Sequence, residues 1–184
     1  MTPVRQPKII VALTLAILLS ATGCRGKHSR TAVQNDEPEP TAKPALASAF
    51  KVNDPGAPAQ LTKGFYGLES NTWRWTSGNF SVLLKTPPGA AQTGATLTLA
   101  LVISNDVLKA VESQTVTANI AGKPLKSEKY TTAGNHTFSA NIPAASLAGD
   151  TVTIDFSVDK PLPPGPADRR ELAIIATAIG LESK

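Results

Sequence analysis

Apolar and polar residues alternate along several short stretches of the second half of the chain. The clearest stretch is Thr151–Val158, in which every second residue is apolar: Val152, Ile154, Phe156 and Val158. Ala95–Ile103 repeats the pattern with leucine and isoleucine. Side chains on a β-strand point alternately to opposite faces, so this period of two predicts strands with one buried face.

Turn residues separate about eight such stretches, and no long helical period interrupts them. The predicted strands are residues 64–69, 73–76, 80–85, 95–103, 115–120, 136–142, 151–158 and 172–181, with a turn at 77–79. Short strands at this spacing are typical of an all-β protein, here an antiparallel β-sandwich or jelly roll of about eight strands. The predicted core comprises Leu99, Leu101, Val116, Phe138, Ile154 and Phe156.

The segment before residue 61 has a different composition. Residues 24–60 carry five prolines among Ala, Thr, Lys and Glu and show no sustained hydrophobic period. Such a segment buries little apolar surface, so it is predicted to be a disordered tether. We therefore expect a β-sandwich domain over residues 61–184.

The first 23 residues have the layout of a secretory signal peptide. Arg5 and Lys8 precede an apolar run at residues 9–21, which is too short to span a bilayer by itself. Ala21, Thr22 and Gly23 then precede Cys24. This arrangement resembles the lipobox of bacterial lipoproteins, although Ala21 stands where leucine is usual. The alternative is an ordinary cleaved signal peptide followed by a chance cysteine.

The lipobox resemblance implies a cellular location and attachment to a membrane by lipid. In that family the cysteine is acylated, the signal is cut before it, and the cysteine becomes the first residue. Cys24 is the only cysteine of the chain, and acylation would remove an otherwise unpaired thiol in an exported protein. The expected location is the bacterial cell envelope, on the membrane through acylated Cys24. Arg25, which is not aspartate, resembles an outer-membrane address where the source has two membranes.

The net charge excludes one class of function, and the cysteine content excludes one source of stability. The formal net charge is +4, and loss of Arg5 and Lys8 with the signal peptide leaves +2. A nearly neutral chain lacks the electrostatic footprint of a nucleic-acid binder. With a single cysteine, no disulfide framework within the chain is expected, and stability must come from an apolar core.

Trp73 and Trp75 are the first candidates for a ligand-binding site, together with Tyr66. One residue separates the two tryptophans, so on a strand both indoles point to the same side. Two indoles on one face form a stacking platform for sugar rings. The alternative is that at least one of them packs into the sandwich core.

A polar cluster is predicted just before the last strand. Asp168, Arg169 and Arg170 follow a proline-rich loop. An arginine binds a carboxylate with two hydrogen bonds, so we expect Asp168 and one arginine to tie the last strand to the opening segment, with Glu69 as the second carboxylate. This is predicted as a buried structural corner; the alternative is a ligand clamp or an acid/base pair.

No catalytic, cofactor or metal motif stands out in the sequence. His28 and His136 are far apart, and the aspartates are scattered, so neither a zinc nor a calcium site is predicted. The chain contains no nucleophile elbow, phosphate-binding loop or dinucleotide-binding motif in a strand–helix setting. We expect no cofactor and no enzymatic activity. A glycan-active enzyme would need a carboxylate pair, for which Glu69, Asp168 and Glu171 are the candidates.

Three short motifs together resemble an uncharacterised bacterial envelope module. They are Gly64-Phe65-Tyr66-Gly67-Leu68-Glu69, Arg74-Trp75-Thr76 and Asp168-Arg169-Arg170-Glu171-Leu172-Ala173-Ile174. The module is a β-sandwich found alone or attached to glycosyltransferases and other envelope proteins. The resemblance covers roughly residues 64–182. It implies a fold and an envelope setting and brings no catalytic residue with it.

These observations favour a membrane-anchored, non-catalytic sandwich that binds an envelope component, with polysaccharide as the candidate ligand. The second hypothesis is a structural or assembly lipoprotein that holds a protein partner through a sheet edge or face. The third is the glycan-active enzyme. Aromatic side chains exposed on a concave face would favour the first hypothesis, and a large exposed apolar patch the second.

Overall fold

The structure, a computed structural model, describes residues 45–184. Within this range strands are the main regular elements. The strands are β1 (Ala49–Lys51), β2 (Leu61–Glu69), β3 (Trp73–Lys85), β4 (Ala95–Ile103), β5 (Gln114–Ile120), β6 (Lys123–Tyr130), β7 (Gly134–Ile142), β8 (Thr151–Val158) and β9 (Ile175–Ser183). The helices are short: α1 (Ala90–Thr93), α2 (Asn105–Val111) and 3-10 turns at Ala57–Ala59 and Ala144–Ser146.

Antiparallel pairing joins the strands into a nearly closed sandwich. The hydrogen-bonded order is β6-β5-β8-β3-β9-β4-β7, with β1 beside β9 and β2 beside β3. The two ends of this order approach each other, since Lys126 Nζ on β6 donates to the Ser139 carbonyl on β7 at 2.9 Å. The predicted all-β antiparallel sandwich is confirmed.

The long strand β3 belongs to both layers. Its first part pairs with β9, with Trp75 opposite Ile175, and its second part pairs with β8, from Asn79 onward. The change of partner occurs around Gly78, where an added Cβ would lie 2.9 Å from the Pro161 ring. The turn predicted at residues 77–79 is therefore wrong: glycine between polar residues here marks a strand passing from one sheet to the other.

The core lies between the two layers and contains the residues that the alternating pattern predicts. All six predicted core residues are at most 1% exposed. Phe156 is at their centre, stacked on Phe80 with ring centroids 4.8 Å apart and edge-to-face with Phe138 at 6.2 Å. Aromatic rings in these geometries attract each other beyond the effect of burial alone.

The folded domain begins earlier than predicted, so the tether prediction is wrong for residues 45–60. Ala49–Lys51 form β1, which pairs with β9. Phe50 and Val52 are buried in the core at 8% and 0% exposure, and Ala57 joins them. A three-residue strand is too short to show a hydrophobic period. The prolines around it favoured the interpretation as a tether, although Phe50 and Val52 are apolar.

Gln60 fastens this early segment to the sandwich. Its side chain is 2% exposed and makes three hydrogen bonds. Nε2 donates to the carbonyls of Ala47 and Leu83 at 2.9 and 2.8 Å, and Oε1 accepts the Ala47 N–H at 2.9 Å. One buried amide thus holds the chain before β1 against β3.

Replacing Gln60 by alanine is expected to lower the free energy of unfolding by about 1–3 kcal/mol, because it removes three hydrogen bonds to part-buried backbone groups. Chemical denaturation followed by tryptophan fluorescence measures the change. Asn53→Ala is the control, since Asn53 is exposed and makes a single hydrogen bond to Asn71, also exposed. Equal stability of the two variants would contradict the fastening role.

Two further differences concern strand bounds. β6 was not predicted, because its sequence KPLKSEKY is charged and its side chains are mostly exposed. Exposed charge, lysine above all, is a common protection of strands at sheet edges. The last strand begins at Ile175 and not at residue 172, and Leu172 forms only an isolated bridge with Leu162.

The predicted signal peptide, Cys24 and the first part of the predicted tether lie outside the described residues. Within residues 45–184, no helix has the length and hydrophobicity needed to cross a membrane.

Candidate binding face

Trp73 and Trp75 lie on the outer face of the layer formed by β3, β9, β4 and β7. Thr76, the neighbour of Trp75, is fully buried and points inward, so the two tryptophans point outward. Both indoles are half-buried and meet edge-to-face, with centroids 6.1 Å apart and planes at 83°. Neither tryptophan belongs to the buried core.

The strand register shows which residues share this face. One row runs across the four strands through Trp75, Ile175, Val102 and Asn135. The next rows run from β1 through β9 and β4 to β7: Lys51, Ala178, Ala100 and Thr137, then Ala49, Gly180, Thr98 and Ser139. Trp75 is thus in the same row as Ile175 and Val102. In the neighbouring rows, the outward positions of β9 and β4 carry the small residues Ala178, Gly180 and Ala100.

A groove of about 590 Å³ lies over these small residues. Ala100, Ala178 and Gly180 form its floor. Lys51 and Asp54 stand on one side, and Thr98 and Thr137 supply hydroxyl groups. The groove exists because neighbouring outward positions on β9 and β4 carry almost no side chain.

A second depression of about 300 Å³ extends the groove toward the Trp75 row. It is lined by Asn135, His136 and Thr177 and shares Ala100 and Thr137 with the groove. The His136 ring is hydrogen-bonded through Nε2 to the Thr132 carbonyl at 2.9 Å. We call the two depressions with Trp73 and Trp75 the binding face.

Arg170 joins the residues of the predicted polar cluster, which lies beside the tryptophans on the side of β2. Its Nη1 donates to Glu69 Oε1 at 2.7 Å, and its Nε and Nη2 bind both oxygens of Asp168. Glu69 pairs with Trp73 in the register of β2 and β3. The guanidinium group also covers the ring of Tyr66 at 5.2 Å from its centroid. The structure brings together Tyr66, Glu69, Asp168 and Arg170, whereas Arg169 is exposed and makes no ion pair with the residues described.

The cluster is half-exposed, and the expectation of a buried charge pair is wrong. The side chains of Arg170, Glu69 and Asp168 each keep about a third of their surface, at 33%, 34% and 34%. The cause is that the cluster joins the end of β2 to the loop before β9, where Asp168 and Arg170 are only half-buried. Solvent screening weakens such pairs, so loss of Asp168 costs less than loss of a buried partner.

Hydrogen bonds from Arg170 lower the pKa of Asp168 to about 2, first from its guanidinium and then from its backbone N–H. A carboxyl group whose pKa is lower in the folded state stabilises the fold above its unfolded pKa of about 4. That contribution disappears as the pH falls toward 2.

Asp168→Asn is therefore expected to be less stable than wild type at pH 6, with the difference shrinking between about pH 4 and pH 2. Thermal denaturation of both proteins across this range is the measurement. The effect should be small, because the cluster is half-exposed. Parallel curves over the whole range would show that the charge of Asp168 does not stabilise the fold.

The carboxylates considered for catalysis are engaged in structural contacts. Glu69 and Asp168 bind Arg170, and Glu171 Oε1 accepts the backbone N–H of Gly78 at 2.6 Å. Glu171 thereby secures the point where β3 changes sheets. Within residues 45–184, no three His, Cys, Asp or Glu residues are grouped as metal ligands.

Sequence reasoning identified the aromatic part of this face and missed the groove. Ala100, Ala178 and Gly180 occupy the outward positions of strands whose inward leucines and isoleucines carry the recognisable pattern. The sign of the groove in the sequence was alanine and glycine at positions where an exposed strand face usually carries polar side chains.

No protein-family model and no curated protein matches the chain. Among solved structures, the CBM36-1 domain of a multidomain xylanase from the hindgut metagenome of Trinervitermes trinervoides aligns at 15% identity and a TM-score of 0.41, covering 72% of this chain and 94% of that one. A Clostridium perfringens ZmpB structure with CBM51-2 in complex with GlcNAc aligns at 11% identity and a TM-score of 0.35. An exo-beta-1,3-galactanase from Phanerochaete chrysosporium aligns at 12% and 0.38. These two alignments cover 74% and 75% of this chain but only 28% and 29% of theirs.

Proposed function

We propose that this protein is a non-catalytic carbohydrate-binding lipoprotein of the bacterial envelope. The sandwich binds a polysaccharide on its binding face, and acylated Cys24 attaches the chain to the membrane. The observation that carries the binding proposal is that a groove lined by small residues and the half-exposed Trp75 lie on the same face of one sheet, in neighbouring rows of the strand register.

The shape of the face suits a flat, ring-built ligand. Ligand sites are concave and mostly apolar, with a few polar groups that fix orientation. The floor of Ala100, Ala178 and Gly180 lets a ligand approach the sheet backbone closely. Trp75 and Ile175 continue that floor as an apolar surface on which the C–H face of a sugar ring can pack.

Polar groups stand where sugar hydroxyls would need partners. Thr98 and Thr137 lie within the groove, Asp54 at its side and Asn135 in the adjoining depression. Hydroxyl, carboxylate and amide groups together supply both donors and acceptors, as a sugar hydroxyl requires. The half-exposed Arg170 cluster lies beside the aromatic pair, since Glu69 is opposite Trp73 in the register of β2 and β3.

The membrane attachment is proposed from the sequence. The short apolar run, the small residues before Cys24 and the absence of a second cysteine support it. Stable attachment by lipid takes more than one chain, as the modified cysteine of bacterial lipoproteins carries.

Trp75→Ala tests the binding proposal. We expect affinity for a bound polysaccharide to fall at least tenfold, which corresponds to about 1.4 kcal/mol. A glycan array probed with the full chain in mild detergent identifies the polymer, and titration calorimetry then compares the variants.

The control is Leu83→Ala, a half-buried position on the other part of the same strand, where β3 pairs with β8. It should leave affinity unchanged. Equal affinity of Trp75→Ala and wild type would remove Trp75 from the site, and a chain that binds no glycan but retains a protein through this face would favour the assembly hypothesis.

A further inference from the structure

We infer that the ligand of the binding face is an uncharged polysaccharide, bound through several consecutive sugar units. The inference rests on the proposed function and adds the charge class and length of the ligand. It excludes teichoic-acid-like phosphate polymers and uronic-acid polymers as main ligands.

The lining of the two depressions has no net formal charge. Lys51 and Asp54 are the charged residues among those lining the two depressions, and His136 is the one other titratable group. Asp54 Oδ2 accepts the backbone N–H of Lys51 at 2.8 Å, so the carboxylate is fixed to the main chain on the same side of the groove as the lysine. The formal charges of the two residues sum to zero over the lining.

The arginines near the tryptophans are not among the residues that line the two depressions. Arg170 is neutralised by Glu69 and Asp168, which leaves the triad with one excess negative charge. Arg74 Nε donates to the Val52 carbonyl and Nη1 to the Tyr66 carbonyl, so Arg74 keeps its positive charge. With exposed Arg169, the formal charges of these five residues sum to +1, outside the depressions themselves.

Anionic polymers need the opposite arrangement. Phosphate and carboxylate groups are recognised by arginine forks or lysines with free donors, and a repeated negative charge calls for a field of positive sign. The lining of the two depressions, whose formal charges sum to zero, gives such a polymer no gain that compensates the loss of its hydration. Neutral hydroxyl groups meet the threonines and Asn135 at no such cost.

The length of the face points to a chain and not to a single sugar. Along β4, the lining runs from Thr98 to Leu101, which is about 10 Å at the rise of a strand. Trp75 lies in the next row, opposite Ile175, which in turn pairs with Val102. One ring would cover only part of this distance.

The experiment compares matched neutral and acidic polymers on the full chain in mild detergent. The probes are an array of neutral and acidic bacterial polysaccharides, with hydroxyethylcellulose and carboxymethylcellulose as a pair that shares one backbone. Affinities of the bound polymers are measured at about 50 and 500 mM NaCl, concentrations between which exposed charges become strongly screened. Asp54→Asn is measured in parallel, because it leaves Lys51 without its negative neighbour.

We expect binding of neutral polymers, at least tenfold tighter than acidic polymers with the same backbone and nearly independent of salt. Preferential or equal binding of acidic polymers, weakened by salt and strengthened by Asp54→Asn, would overturn the inference and leave the proposed function standing. Binding of no polymer at all would overturn the proposed function, and the inference with it.

Discussion

Replacing Cys24 by serine is expected to abolish fatty-acid labelling of the protein and to shift it from the membrane fraction to the soluble fraction. The hydroxyl of serine does not replace the thiol that the lipoprotein pathway acylates. The apolar run at residues 9–21 is too short to hold the chain in a bilayer by itself. The measurement is incorporation of an alkyne fatty acid, followed by fractionation of cells.

His28→Ala is the matched control, since it lies four residues beyond the cysteine and has no part in acylation. It should be labelled and retained like wild type. Wild-type protein that takes up no label, or that begins at a residue other than Cys24 after processing, would show that the segment is an ordinary signal peptide.

Phe156→Ala is expected to lower the free energy of unfolding by about 3–5 kcal/mol, the usual cost of truncating a large core side chain. Phe156 is 1% exposed and touches Phe80 of β3 and Phe138 of β7, so the cavity left would face both layers. Urea denaturation followed by tryptophan fluorescence and circular dichroism gives the change.

Ser157→Ala serves as the control for this truncation. Ser157 is the next residue of β8, half-buried on the opposite face, and its substitution should change stability by less than about 0.5 kcal/mol. A comparably small effect of Phe156→Ala would mean that the sandwich does not depend on the aromatic contact between its layers.

The inward faces of the strands were predictable because their signal is local. In β8 and β4, buried positions alternate with more exposed ones along the whole strand, and period two alone places Ile154 and Leu99 in the core. Antiparallel architecture then follows from short connections and the absence of long helices. The sandwich class was therefore readable without knowledge of which strands pair.

Features that depend on distant partners were not predictable. β1 is a strand only because β9 offers it a free edge, and the role of Gln60 requires Leu83 to lie opposite it. In the sequence alone, Gly78 fits a turn as well as it fits a strand that passes from one sheet to the other. Pro161 and Glu171, more than 80 positions away, decide between them.

The candidate site was predictable only in its aromatic part. Trp73 and Trp75 stand out in any sequence, and their spacing correctly places them on one side of a strand. Whether that side is inside or outside depends on Thr76 and its pairing with the segment before β9. The groove arises from alanines and a glycine on two strands that are some 80 residues apart in sequence, and their alignment is a property of register alone.

The position of β1 also determines how the domain would respond to mechanical tension. Any pull transmitted through the residues before 45 first meets the hydrogen bonds between Ala47 and Gln60 and then β1, whose ladder to β9 is only three residues long. Lys51 and Ala49 of the same strand line the groove. Peeling β1 from β9 would therefore open the groove before it reached the aromatic core, so the hydrogen bonds of Gln60 protect the shape of the groove under tension.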